Sequence, residues 1–243
     1  MEEQKTALVT GADRGLGLSI TKGLLKEGWR VFAGKYLADY GLLEDLAAKE
    51  GSLAILPLDV SDPESIRAAA ERLEREAGRL DLLVSNAALM GGNASCAVGG
   101  GAPVDTEALL LSFRTNSLAA PLLADRLLPL LEKGRMKRLF FVSSEISSVR
   151  LQRRTGDMRY AMSKTALNLG VRLLFNSLRP RGYTFRLYQP GWMKRVNPDG
   201  SRAAGALVDP DESAVEALRL IREDRIDEDR LVLTDYLGRE LSF

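Results

Sequence analysis

Six short runs of this chain are apolar almost without interruption: TALVT (6–10), WRVFAG (29–34), SLAILPLDV (52–60), LDLLVSN (80–86), RLFFVSS (138–144) and YTFRLYQP (183–190). A strand with one wet face alternates polar and apolar residues, so runs without that alternation belong to strands buried on both faces. Between them lie stretches with helical periodicity, the first carrying Leu16, Ile20, Leu24 and Leu25. Strand and helix alternating in this way predict an α/β chain: a doubly wound parallel sheet with helices on both faces. At 243 residues, 45% of them hydrophobic, the chain suits one large core, so 1–243 reads as one domain. Sheets of this kind bind ligands outside the carboxyl ends of their strands, and the residues that follow the apolar runs are therefore the informative ones.

The helical stretches fall at 39–50, at 63–77 with Asp62 as cap, Pro63 in the first turn and Gly78 as stop, at about 105–132, and from near Tyr160. Two segments fit the alternation poorly. GGNASCAVGGGAP (91–103) reads as a flexible loop, and WMKRVNPDGSRAAGALVDP (192–210) as a lid that follows a strand end.

Several functions are excluded by what the chain lacks. It has no His, which removes Ser-His-Asp and Cys-His nucleophiles and every His-ligated metal site; no metal is expected. Thirty-four basic residues against 33 acidic ones leave a formal charge of +1, so nothing in the overall charge attracts nucleic acid or an anionic membrane. The one cysteine, Cys96, suits a reducing compartment. The first apolar run begins by Thr6, with no room before it for a secretory leader, and no run is long enough to span a membrane; a cytoplasmic setting is expected.

After the first strand stand Gly11, Gly15 and Gly17. A sharp turn from strand to helix needs residues without a Cβ where the backbone passes close to a bound group, and the helix start then offers free N–H groups to a phosphate. Asp59, ending the third strand, could accept from an adenine amino group or serve the following helix. Farther on, RYAMSKTALN sets Tyr160 and Lys164 four residues apart, on one face of a helix.

Together these features resemble the short-chain dehydrogenase/reductase family, of the type whose pattern is a TGxxxGxG turn followed by YxxxK. TGADRGLG and YAMSK match those motifs in order and separation, SNAA (85–88) is similar to NNAG, LDV (58–60) to the cofactor-side Asp, VSS (142–144) to the serine strand end and PG (190–191) to the nicotinamide-side turn. RGLGLSITKGLL, YAMSKTALNLGVRLL, RLYQPGWMK and DYLGRELSF resemble the subgroup that holds the C-factor signalling protein and the Sniffer carbonyl reductase. The resemblance implies a Rossmann fold and an NADPH-dependent reduction of a small aldehyde or ketone, or the reverse oxidation of an alcohol. It also implies a homodimer or homotetramer, paired through the helices starting near Asp105 and Tyr160. An NAD(P)-binding signalling protein with little or no turnover is the alternative.

By the same resemblance, the cofactor would meet Gly11, Arg14, Gly15, Leu16, Gly17, Lys35, Asp59, Val60, Asn86, Ala87, Tyr160, Lys164, Pro190 and Gly191. Lys35, where an NADH enzyme would carry an acid, and Arg14 in the turn favour NADP(H), with NAD(H) still possible. Tyr160 is the expected acid, Ser144 the group that polarises the carbonyl, and Asn116 the anchor of a water chain to Lys164. Spacing also admits Ser147, 13 residues before Tyr160, in the serine's place. A free Tyr titrates near 10, and lowering it by roughly three units needs about 4 kcal/mol of preference for the phenolate. The Lys164 ammonium and an oxidised nicotinamide have the sign to supply it. Two positions depart from the pattern: Ala88 replaces the last Gly of NNAG, and Arg195 stands where the subgroup has Thr. Arg150, Arg153, Arg154, Lys194, Arg195 and Arg202 crowd the substrate side, either facing an anionic substrate or solvated.

Overall fold

The computed structural model describes residues 4–90 and 104–243, and the loop expected at 91–103, with Cys96, lies outside them. The chain runs β1 (Thr6–Val9), α1 (Gly15–Lys26), β2 (Arg30–Lys35), α2 (Leu42–Ala47), β3 (Leu53–Pro57), α3 (Pro63–Ala77), β4 (Leu82–Ser85) and α4 (Thr106–Phe113). It continues through α5 (Ala119–Lys133), β5 (Arg138–Val142), α6 (Met158–Leu178), β6 (Thr184–Gln189), α7 (Pro210–Arg222), β7 (Leu233–Asp235) and β8 (Glu240–Leu241). The sheet order is β3-β2-β1-β4-β5-β6-β7-β8. Every pair is parallel except β7 with β8.

Successive side chains of one strand enter opposite cores, which is why the strands read as continuous apolar runs. Leu8 of β1 and Leu139 and Phe141 of β5 pack with Leu73, Leu123 and Val171, from α3, α5 and α6. Ala7, Val9, Phe140 and Val142 face the other way, onto Ile20, Leu24, Ala217 and Ile221 of α1 and α7. The chain order reverses between β1 and β4, so the crevice at their carboxyl ends is the switch point where such sheets bind ligands.

Two buried arginines close the opposite end of the sheet. Arg138 and Arg186, on adjacent strands, reach carbonyls at the end of α7, and Arg186 holds Glu228 with two hydrogen bonds of 2.7 and 2.8 Å. Among the described residues no helix is long and apolar enough to cross a membrane.

Candidate active site

The glycines of the first turn do different things. Gly11 has φ +61°, and a Cβ there would lie 2.8 Å from Cα of Ala87. Gly17 sits where α1 crosses the strand ends; a Cβ would lie 2.2 Å from the Gly11 carbonyl oxygen and 2.6 Å from Nδ2 of Asn86. Asn86 in turn donates to the carbonyls of Thr10 (2.9 Å) and Gly11 (3.0 Å), while the Thr10 hydroxyl accepts from the N–H groups of Asn86 and Ala87, each at 3.0 Å. At Gly15, also with positive φ (+57°), a Cβ would meet nothing within 4 Å.

That open notch lies at the start of α1, which has no side-chain cap and no acid in its first turn. A helix start with free N–H groups and the positive end of its dipole uncompensated suits an anion. The turn therefore fits a dinucleotide pyrophosphate, with Leu16 buried beneath it.

Other expected cofactor residues lie at or after the carboxyl ends of β2 and β3 and in the turn itself. Val60 is buried, and half-buried Asp59 accepts from the N–H (2.8 Å) and hydroxyl (2.7 Å) of Ser61 through one oxygen. Lys35 is ion-paired with Glu44, and its hydrogen bond holds that carboxyl below the usual carboxylate range against the opposing effect of burial. Arg14 stacks on the Tyr40 ring at 4.8 Å and donates to its hydroxyl. Both expected phosphate readers thus have protein partners. Asp13, which the motif reading passes over, is buried and accepts from the N–H groups of Tyr36 and Leu37 (2.8 Å each), fastening the turn to the end of β2. Its signal in the sequence is an acid inside a turn shaped for an anion, a choice that only a structural duty explains.

Across the crevice, Ser144 follows β5 and caps a short 3₁₀ turn, Glu145–Ser147. The Ser144 side chain is near enough to the Tyr160 hydroxyl to pull its titration down. Ser147, the other candidate, is buried and engaged elsewhere: its hydroxyl donates to the Ser144 carbonyl and accepts from Asn168 (2.7 Å), whose oxygen accepts from Ser143 (2.6 Å). This network joins the strand end to α6. Lys164 is fully buried, donates to the Val142 carbonyl at 2.9 Å, and lies 5.8 Å from the Tyr160 ring centroid.

Without the nicotinamide charge, both titrations are set by burial. Burial pushes the Tyr160 hydroxyl up to about 12, although the Ser144 hydrogen bond and the nearby Arg154 charge pull it down. Burial likewise lowers Lys164 to about 8. Burial governs both shifts, because each charged form loses water in the crevice.

Asn116 lies inside a π turn, Arg114–Leu118, that joins α4 to α5. The turn presents its amide to the loop after β4: the oxygen accepts from Leu89 N–H (2.7 Å), and the nitrogen donates to the Leu89 carbonyl (2.9 Å) and the Ser163 hydroxyl (3.0 Å). The structure thus brings Asn116 to Ser163, the residue beside Lys164. Single π turns are found mostly at functional sites, and nothing in the spacing of residues 105–132 signals this one.

Pro190 and Gly191 follow β6. A Cβ at Gly191, with φ +83°, would lie 2.8 Å from Val208 and 2.9 Å from Tyr236. The lid segment is ordered as a flap: bridges pair Met193 with Val208 and Val196 with Arg202, and Arg202 reaches Asp209 (3.1 Å) and Asp211 (3.2 Å). Of the other cations on this side, Arg154 pairs with Glu145 at 3.3 Å and Arg153 bonds to backbone carbonyls. Arg150 lines a separate surface cavity of about 520 Å³ with Arg172, Arg230 and Phe243. Lys194 is half-buried, and Arg195 and Ala88 are exposed.

The chain is similar to known proteins in sequence and in fold. The family model described as short chain dehydrogenase matches residues 5–203. The C-signal protein of Myxococcus xanthus is 34% identical over 117 residues, 48% of this chain and 68% of that protein. Among solved structures, the NADPH-bound carbonyl reductase from chicken fatty liver is 27% identical with a TM-score of 0.83. The carbonyl reductase Sniffer of D. melanogaster is 25% identical with a TM-score of 0.86. Each alignment covers 99% of this chain and 100% of the other.

Proposed function

The chain belongs to the short chain dehydrogenase family of oxidoreductases, and from that premise we propose that it is an NADPH-dependent carbonyl reductase acting on a small aldehyde or ketone. The observation that carries this is the meeting of Ser144, Tyr160 and Lys164 across the switch-point crevice from the open notch at Gly15. An enzyme that uses the cofactor needs both halves, and a protein that merely binds it needs only the notch. The NADPH-bound chicken enzyme supports the choice of cofactor.

In this reading the N–H groups at the start of α1 hold the pyrophosphate, Arg14 and Lys35 face the 2′-phosphate, and Asp59, Val60, Asn86, Ala87, Pro190 and Gly191 line the remaining length. Lys35 reaches its phosphate by leaving Glu44, whose own side chain is exposed. NADPH, when bound, supplies the hydride. Ser144 donates a hydrogen bond to the substrate carbonyl oxygen, and Tyr160 gives its proton to that oxygen as the alkoxide develops. Lys164 supplies the positive charge that favours the departing proton, and Asn116 fixes the Leu89 loop and Ser163 against it. The 192–210 flap closes the substrate side. Exposed Leu110, Leu111, Leu118, Leu122, Leu169 and Leu173 on α4, the π turn, α5 and α6 suit pairing of two copies. Sedimentation of a monomer at micromolar concentration would remove that assembly.

The similarity to C-signal favours a second reading, a cofactor-binding signalling protein with little turnover. Tyr160→Phe separates the two. A reductase loses turnover of aldehydes and ketones by orders of magnitude while the variant binds NADPH as the parent does; a parent that binds NADPH and reduces no carbonyl compound across a broad panel supports signalling.

A further inference from the structure

Tyr40, just ahead of α2, is only 6% exposed although it stands in a surface segment. Its hydroxyl has two partners from distant parts of the chain. It accepts from Nη1 of Arg14, whose guanidinium stacks on the ring at 4.8 Å, and it donates to the Val196 carbonyl of the flap at 3.0 Å. A phenol has one proton, and with Arg14 on its lone pair that proton is committed to Val196. Nε and Nη2 of Arg14 have no hydrogen-bond partner among the described residues, so the stack and the single bond fix the plane of the fork and leave its other edge available. The contact is continued by Leu42, 3.4 Å from where a Cβ on Gly200 would lie.

We propose that Tyr40 is a positioning residue that couples the binding of a 2′-phosphate at Arg14 to the seating of the 192–208 flap, so that a 2′-phosphorylated dinucleotide tightens the flap and its unphosphorylated counterpart does not. This coupling presupposes the NADPH-dependent reductase proposed above. A dianion on the free edge of Arg14 strengthens the chain of hydrogen bonds running through Tyr40 to Val196. Because coupling between sites is reciprocal, a seated flap also raises affinity for the phosphorylated cofactor.

Two readouts test it on the full chain. Affinity for NADP⁺ and for NAD⁺ is measured by quenching of Trp192, which is 64% exposed, whereas Trp29 is buried. Flap seating is measured as the rate of tryptic cleavage after Lys194, Arg195 and Arg202 at saturating cofactor. The parent should be protected several-fold more by NADP⁺ than by NAD⁺. Tyr40→Phe keeps the ring and loses both bonds, so that ratio should fall to about one, NADP⁺ affinity should drop roughly 3- to 10-fold, and NAD⁺ affinity should hold. Tyr188→Phe, which removes a buried hydroxyl bonded to the Ser213 carbonyl at 2.6 Å, controls for general loosening and should leave the ratio intact. The coupling is overturned if Tyr40→Phe retains the NADP⁺-specific protection, if it weakens both cofactors equally, or if Tyr188→Phe abolishes the protection as well. A parent that binds NADP⁺ tightly without added protection defeats the coupling alone; a parent that binds neither cofactor defeats the reductase reading with it.

Discussion

Replacing Gly15 and Gly17 separately by Ala should have opposite effects on stability and on cofactor binding. At Gly15 the added methyl enters open space, so the stability cost is the left-handed backbone alone, roughly 1 kcal/mol or about 3 °C in Tm for a chain of this size. At Gly17 the methyl would lie 2.2 Å from a backbone carbonyl oxygen and 2.6 Å from the Asn86 amide, and neither can yield without moving the turn. Overpacking of that kind costs about 3 kcal/mol, near 9 °C. Binding should run the other way relative to stability. The space at Gly15 is where a phosphate would approach the helix start, and losing charge-assisted hydrogen bonds of roughly 2 kcal/mol weakens NADPH about 30-fold in a protein that is otherwise nearly intact. Thermal unfolding and a Trp192 quenching titration on the same samples provide the comparison. If Gly15→Ala binds NADPH within twofold of the parent, the notch is not a phosphate cradle, and the assignment of the turn as a cofactor site loses its physical basis.

Two further outcomes follow from titrating groups. With Lys164 lowered to about 8, its charge is lost as pH rises through 8 instead of 10.5, while Tyr160, near 12, keeps its proton throughout. kcat/KM for carbonyl reduction should therefore fall about tenfold per unit above pH 8, and Lys164→Arg should remove that limb; a limb unchanged in the variant would assign it to another group. At the far end of the sheet, burial alone would raise the Glu228 carboxyl, but the hydrogen bonds from Arg186 and from Arg225 N–H prevail and hold it below its ordinary value. A carboxyl depressed by folding contributes stability above its unfolded pKa and loses it as pH falls through the folded one. Glu228→Gln should cost about 3 kcal/mol at pH 7 by stranding buried Arg186, and less in acid; urea midpoints that fall equally at both pH values would refute this.

What could be read in the sequence was what is local. The six apolar runs are β1 to β6, and Asp62, Pro63 and Gly78 bound α3 as cap, first turn and left-handed stop. The reading stops at 210, however, and assigns no element to α7, β7 or β8. Strands of three and two residues are too short to show a period. α7 has its own N-terminal signature, a capping box from Asp209 to Glu212, which becomes visible only once the preceding flap is known to end there.

The site divides along the same line. Gly11, Gly15, Gly17, Tyr160 and Lys164 stand in runs whose spacing is itself informative. Ser144 and Ser147 could not be separated by spacing, because the distinction lies in a partner 21 residues beyond Ser147: once Asn168 engages the Ser147 hydroxyl, that serine belongs to the packing of α6. Tyr40 is harder still, since its hydroxyl joins residue 14 to residue 196, and no window of sequence contains both. The pKa of Tyr160 depends on more than its neighbours in the motif. The Lys164 charge can be read from the sequence, but the burial that raises the phenol depends on how the crevice packs, and that is a property of the fold. Motifs therefore name the groups proposed to meet the ligand, whereas the residues that hold those groups in place, and the balance of charge and burial around them, exist only after distant segments have been brought together.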